Sequence, residues 1–148
     1  MTLLDAQPFD EARAAQLKAT ADRSPSDAEI RVQLGNLYFD AERYGEATSW
    51  YEQALKVDPK NVNASTDLGI AYYYSNQPDK ALQQFDHSLA LDPNHFKALD
   101  GLAQILREIG QKRPALKAFK QLLDVHPYWS GAKQAVDELE REVDGQGI

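Results

Sequence analysis

The chain contains no cysteine, which excludes disulfides and thiolate chemistry and leaves the redox compartment unmarked. No apolar run approaches the length of a membrane span. Sustained apolar–polar alternation of period two is missing, so strand signals are absent. Basic charge is short: 16 Lys and Arg against 23 Asp and Glu leave a net charge of −7, which argues against nucleic-acid binding. The opening Met1 to Pro8 lacks the basic region and apolar stretch of a signal peptide. The chain as given is therefore expected to be soluble, although an anchor in a longer protein would not be visible. There is no phosphate-binding glycine loop, metal-ligand spacing or nucleophile elbow. His87, His95 and His126 have no ligand set beside them, and the carboxylates are scattered. No enzymatic activity, metal or cofactor is expected.

What is present is a period. Leu34-Gly35, Leu68-Gly69 and Leu102-Ala103 stand 34 residues apart, as do Ala47, Ala81 and Ala115. Tyr51, Phe85 and Phe119 share the interval, and so do Pro59, Pro93 and Pro127. Four columns in one register mark a stacked array of helical hairpins. Three repeats follow, 28–61, 62–95 and 96–129, flanked by 1–27 and 130–148. In the first repeat, Ile30, Leu34, Leu37, Tyr38 and Ala41 are spaced by threes and fours, which predicts a helix over 28–41. After Glu42-Arg43 a second helix is predicted over 44–57, ending at Asp58-Pro59. The other two repeats follow the same grammar.

Glycine inside a helix costs up to about 1 kcal/mol against alanine, so its recurrence at Gly35 and Gly69 predicts close approach of helices. Tyr51, Phe85 and Phe119 are expected to fill the space between neighbouring hairpins. Residues 9–22 read as an N-terminal half-repeat helix and 129–143 as a polar-backed closing helix, with a frayed tail from Asp144 to Ile148. Charge is uneven: 96–129 carries +3 and 130–148 carries −3. The basic third repeat is either a solvated face or an electrostatic end for a partner or another copy.

Leu34-Gly35-Asn36-Leu37-Tyr38 and Leu68-Gly69-Ile70-Ala71-Tyr72, with the alanine, aromatic and proline columns, resemble the tetratricopeptide repeat family. The resemblance covers 28–129. It departs at the family's frequent tryptophan, replaced by Arg31, Ser65 and Leu99, and at Ala103 and Leu106. It implies an all-α, right-handed superhelical α-solenoid of antiparallel helix pairs. It also implies a non-enzymatic protein–protein interaction scaffold, with a peptide or protein segment held in a concave groove lined by the first helix of each repeat. The resemblance also suggests bacterial assembly or biogenesis scaffolds, including membrane-anchored ones; a bacterial chain of this kind, soluble as given, would be cytoplasmic or periplasmic.

On that resemblance the candidate groove residues are Asn36, Phe39, Asp67, Ile70, Tyr73, Tyr74, Gln104 and Arg107, with Thr66 also on the lining. Tyr72 satisfies the packing column, so Tyr73 and Tyr74 are surplus: they either meet a partner or pack along the groove wall. Some family members clamp acidic chaperone tails with basic and amide side chains. The corresponding positions here are Val32, Asn36, Asp67, Lys97 and Gly101, of which only Asn36 and Lys97 match. Asp67 would repel a carboxylate, so an extended peptide with apolar and basic side chains is the expected occupant. Trp50 is either an exposed anchor or covered by the N-terminal half-repeat. The alternative to groove binding is a structural self-assembly module, a homo-oligomer built by end-to-end stacking of repeats.

Overall fold

The computed structural model describes residues 8–145, and among these there are eight α-helices and no strand. They are α1 (Glu11–Arg23), α2 (Ala28–Asp40), α3 (Tyr44–Val57), α4 (Val62–Tyr74), α5 (Pro78–Leu91), α6 (Phe96–Glu108), α7 (Lys112–Val125) and α8 (Ser130–Gly145). The fold is an all-α solenoid of helix pairs. Met1 to Gln7, and the last three residues of the expected tail, lie outside the described residues. No helix among the described residues is long and apolar enough to cross a membrane.

Local chemistry fixes both ends of the first helix of each pair. The first helices start on side-chain acceptors: Asp27 Oδ1 accepts from the Ile30 N–H at 3.1 Å, Asn61 Oδ1 from Ala64 at 3.0 Å, and His95 Nδ1 from Ala98 at 3.2 Å. Such a bond satisfies one of the orphan donors of a helix start. The same helices end on a left-handed residue: Glu42 at φ 61°, Asn76 at φ 62° and Gly110 at φ 84°. The N–H two residues past each helix's cap reaches back to close the last turn, from Arg43 to Tyr38 O at 2.8 Å, Gln77 to Tyr72 O at 2.9 Å and Gln111 to Leu106 O at 2.9 Å. This is the Schellman geometry, which needs a positive φ.

The chain forms two compact units, Met1–Gln84 and Phe85–Ile148, with the division inside α5. In the first unit, Leu17 and Ala21 of α1, Leu34 and Tyr38 of α2, Ala47 and Tyr51 of α3, and Leu68 and Ala71 of α4 form one buried cluster. Arg31, where the family often has tryptophan, donates to the carbonyls of Ala21 at 3.3 Å, Ser24 at 3.0 Å and Asp27 at 2.9 Å, closing the C-terminal end of α1. Ser65, at the equivalent place, is buried and accepts from Gln84 Nε2 at 2.8 Å.

Gly35 explains itself: a Cβ there would lie 2.4 Å from Cε1 of Tyr51. Tyr51 lies against Gly35 of its own helix pair, and Phe85 meets Gly101 of the following helix α6, where a Cβ would sit 2.9 Å from Cζ. Gly101 therefore makes room for a ring, a packing duty that the groove numbering did not assign to it.

In the second unit, Leu99, Ala103, Phe119 and Leu122 pack with Ala132, Ala135, Val136 and Leu139 of α8. The outward side of α8 carries Lys133, Gln134, Asp137 and Arg141, all exposed. Three charge pairs join this helix to α6 and α7: Arg107–Glu138, Lys112–Glu142 at 3.4 Å and Lys120–Glu140 at 3.2 Å. The basic excess of the third repeat thus meets the acidic excess of the segment that follows it.

Candidate functional site

The first unit presents one face of α2 and one of α4. Asn36, Phe39 and Asp40 follow helical spacing on α2; Asp67, Ile70, Tyr73 and Tyr74 do so on α4. Beneath this face lies Tyr51, only 2% exposed, whose hydroxyl donates to Asn36 Oδ1 at 2.7 Å. Burial pushes the phenol's pKa far up, and the nearby Asp67 and Asp40 carboxylates push it further. Tyr51 is thus a neutral donor that fixes the Asn36 amide from below. With Oδ1 engaged by Tyr51, the exposed Asn36 keeps an NH2 group that can only donate. The sequence columns assigned Tyr51 to packing alone.

Four aromatic rings gather on the same unit. Phe39 stands edge-on to Tyr44 at 5.1 Å and to Tyr74 at 5.9 Å between centroids. Tyr44 and Tyr74 stack at 5.1 Å with 21° between planes, and Tyr73 meets Tyr74 edge-on at 5.8 Å. Tyr74 remains 56% exposed, while Phe39, Tyr44, Tyr73 and Ile70 are half-buried. Burial, then Glu42 and Tyr74, raise the pKa of Tyr44. Tyr44 was not among the sequence candidates. Its signal was a departure from the repeat, since the equivalent places hold Pro78 and Lys112.

The remaining candidates are Thr66, Gln104, Arg107 and Trp50. Thr66 is fully buried, with its hydroxyl donating to Val62 O at 2.9 Å, and does not line the surface. Gln104 and Arg107 belong to the second unit. Gln104 is exposed, with Nε2 3.5 Å from Asp100 Oδ1. Arg107 donates to Glu138 of α8. Trp50 is half-buried against the cluster containing Leu17 and Ala21.

A family description reading "TPR repeat" matches residues 35–75, and one reading "Tetratricopeptide repeat" matches 63–95. The chain carries tetratricopeptide repeats. Solved structures agree on the fold. The chain is similar to MamA at TM-score 0.82 and 20% identity, over 89% of this chain and 77% of that one. It is similar to the first tetratricopeptide domain of Spaghetti (RPAP3), solved bound to the HSP90 peptide SRMEEVD, at TM-score 0.75 and 21% identity, over 82% and 96%. The domain of Arabidopsis OM64 aligns at TM-score 0.71 and 20% identity, over 77% and 94%. A search of curated proteins finds no significant sequence match.

The repeat register also exposes a departure that sequence reasoning passed over. The loops that precede α4 and α6 end in Lys60-Asn61 and Asn94-His95, but the one preceding α8 ends in Tyr128-Trp129. Tryptophan offers no side-chain acceptor for a helix cap. Tyr128 is 98% exposed, and Trp129 stands edge-on to Phe96 at 5.3 Å. With His126 and Pro127 they line an open cavity of ≈ 500 Å³.

Proposed function

We propose that this tetratricopeptide protein is a non-enzymatic protein–protein interaction scaffold. On this reading an extended segment rich in apolar and basic side chains lies against the α2–α4 face of the first unit. The observation that carries this reading is the ring cluster. Tyr74 stacks on Tyr44 and still keeps more than half of its surface open. Aromatic side chains held in place by neighbours give large contact area at little entropic cost, and their hydroxyls orient a partner. Asp40 and Asp67 set the charge preference, and Asn36, locked by Tyr51, supplies donors for a peptide backbone. Spaghetti (RPAP3) was solved with a peptide ending Glu-Glu-Val-Asp; the carboxylates on this face oppose that kind of ligand and suit its charge inverse.

The outward side of α8 is polar, with Lys133, Gln134, Asp137 and Arg141 exposed, which suits a solvated end better than a stacked one. The test is fluorescence anisotropy with short labelled peptides of alternating Lys and Leu. The native chain should bind them, and Tyr73→Ala/Tyr74→Ala should weaken binding by about tenfold or more. Undiminished binding in that variant would remove the face from the account.

A further inference from the structure

We infer that the exposed face of α7 is a second docking surface, for a short acidic peptide segment with an apolar anchor. α7 carries Lys112, Arg113, Lys117 and Lys120 against one carboxylate, Asp124. Arg113, Lys117 and Lys120 stand at helical spacing on one exposed side. Beside them the half-buried Leu116 helps to line a shallow depression of ≈ 460 Å³.

The repeat does not require this stripe. The same places hold Gly45, Ser49 and Glu52 in α3, and Asp79, Gln83 and Asp86 in α5. The helix itself does not favour it either. Helix starts prefer acids, as Glu46 and Asp79 illustrate, whereas α7 opens on two cations and its N-cap Gln111 makes no side-chain bond. Each misplaced charge opposes the helix dipole. Glu142 offsets Lys112 and Glu140 offsets Lys120. Arg113 and Lys117 have no ion pair or hydrogen bond among the described residues. Exposed cations left without an internal partner are available to the carboxylates of a ligand.

Complementarity selects the partner. The chain's own acidic helix α8 already engages three cations of α6 and α7, so carboxylates presented from a peptide suit the cations left over. A net charge of −7 repels an extended anionic surface such as a membrane or a nucleic acid. A short segment meets only the local stripe, and Leu116 receives an apolar side chain.

The experiment is anisotropy of a short fluorescein-labelled peptide of alternating Glu and Leu, at low and high salt, against the whole chain. Binding is expected at low salt, falling with added salt. It should weaken by about tenfold or more in Arg113→Glu/Lys117→Glu and stay unchanged in Tyr73→Ala/Tyr74→Ala. Circular dichroism of each variant checks the fold, and Arg113→Gln/Lys117→Gln replaces the reversal if it does not fold. Equal affinity of native and stripe variants overturns the inference. So does capture of phosphatidylserine vesicles through Arg113 and Lys117 without peptide binding, which would assign the stripe to a membrane. A concentration-dependent dimer lost in the stripe variant would assign it instead to a second copy, and also overturns it.

Discussion

Gly35 and Glu42 belong to the same helix pair and break in opposite directions. Gly35 has no room for a Cβ, because the ring of Tyr51 is 2.4 Å from where it would stand and is itself buried. Gly35→Ala should destabilise the chain by about 1–3 kcal/mol through overpacking, read as a lower urea midpoint at unchanged slope. Glu42 is the reverse case. It holds a left-handed φ of 61°, which costs a side-chain-bearing residue roughly 1–2 kcal/mol, and the third repeat places glycine there at φ 84°. Glu42→Gly should therefore stabilise by about 0.5–1 kcal/mol once the greater freedom of glycine in the unfolded chain is subtracted; a loss of stability would refute the strain argument. Tyr51 supplies the pH test. Its phenol is buried with a raised pKa, so its contribution is complete below the ordinary tyrosine pKa of about 10 and is lost as pH rises above it. Native stability should fall above that pH, and Tyr51→Phe should flatten the fall while losing about 1 kcal/mol at neutral pH with the bond to Asn36.

At the scale of the element, α8 is held by two kinds of force that can be separated. Leu139 is fully buried among Leu99, Phe119 and Leu122, and Leu139→Ala should cost about 2–5 kcal/mol. Glu138 is partly solvated, and its carboxyl is held below the usual range by Gln134 and then by Arg107. Its contribution exists above the ordinary carboxylate pKa and disappears as pH falls through the lowered value. Glu138→Gln should move the denaturation midpoint much less than Leu139→Ala, and salt should erase the difference from the native chain. Helices of this kind are legible in sequence because apolar spacing and the Asp-Pro ends act locally: the first pair, expected over 28–41 and 44–57, runs Ala28–Asp40 and Tyr44–Val57. The role of Arg31 was not legible. It depends on three carbonyls from α1 and the following loop converging in space. The pairing of Arg107 with Glu138 spans 31 residues; the opposite charges of the two segments held its trace, but not the identity of the pair.

For the whole molecule, the repeat explains packing and leaves a remainder, and the remainder is where partners are expected. Tyr73 and Tyr74 stood out because Tyr72 already filled the column, whereas Tyr44 and Tyr128 were missed because each belongs to a position read as helix start or loop. The two proposed surfaces have opposite charge preferences, so they can be told apart in one protein. A basic peptide should depend on Tyr73 and Tyr74 and ignore Arg113 and Lys117; an acidic one should do the reverse. The most direct measurement is the affinity of a short Lys-and-Leu peptide for the native chain and for Tyr73→Ala/Tyr74→Ala, with folding of both verified by circular dichroism. The account predicts clear binding to the native chain and a drop of about tenfold or more in the variant. Equal affinity for the two proteins, or a native α2–α4 face that prefers the Glu-and-Leu peptide, would contradict it.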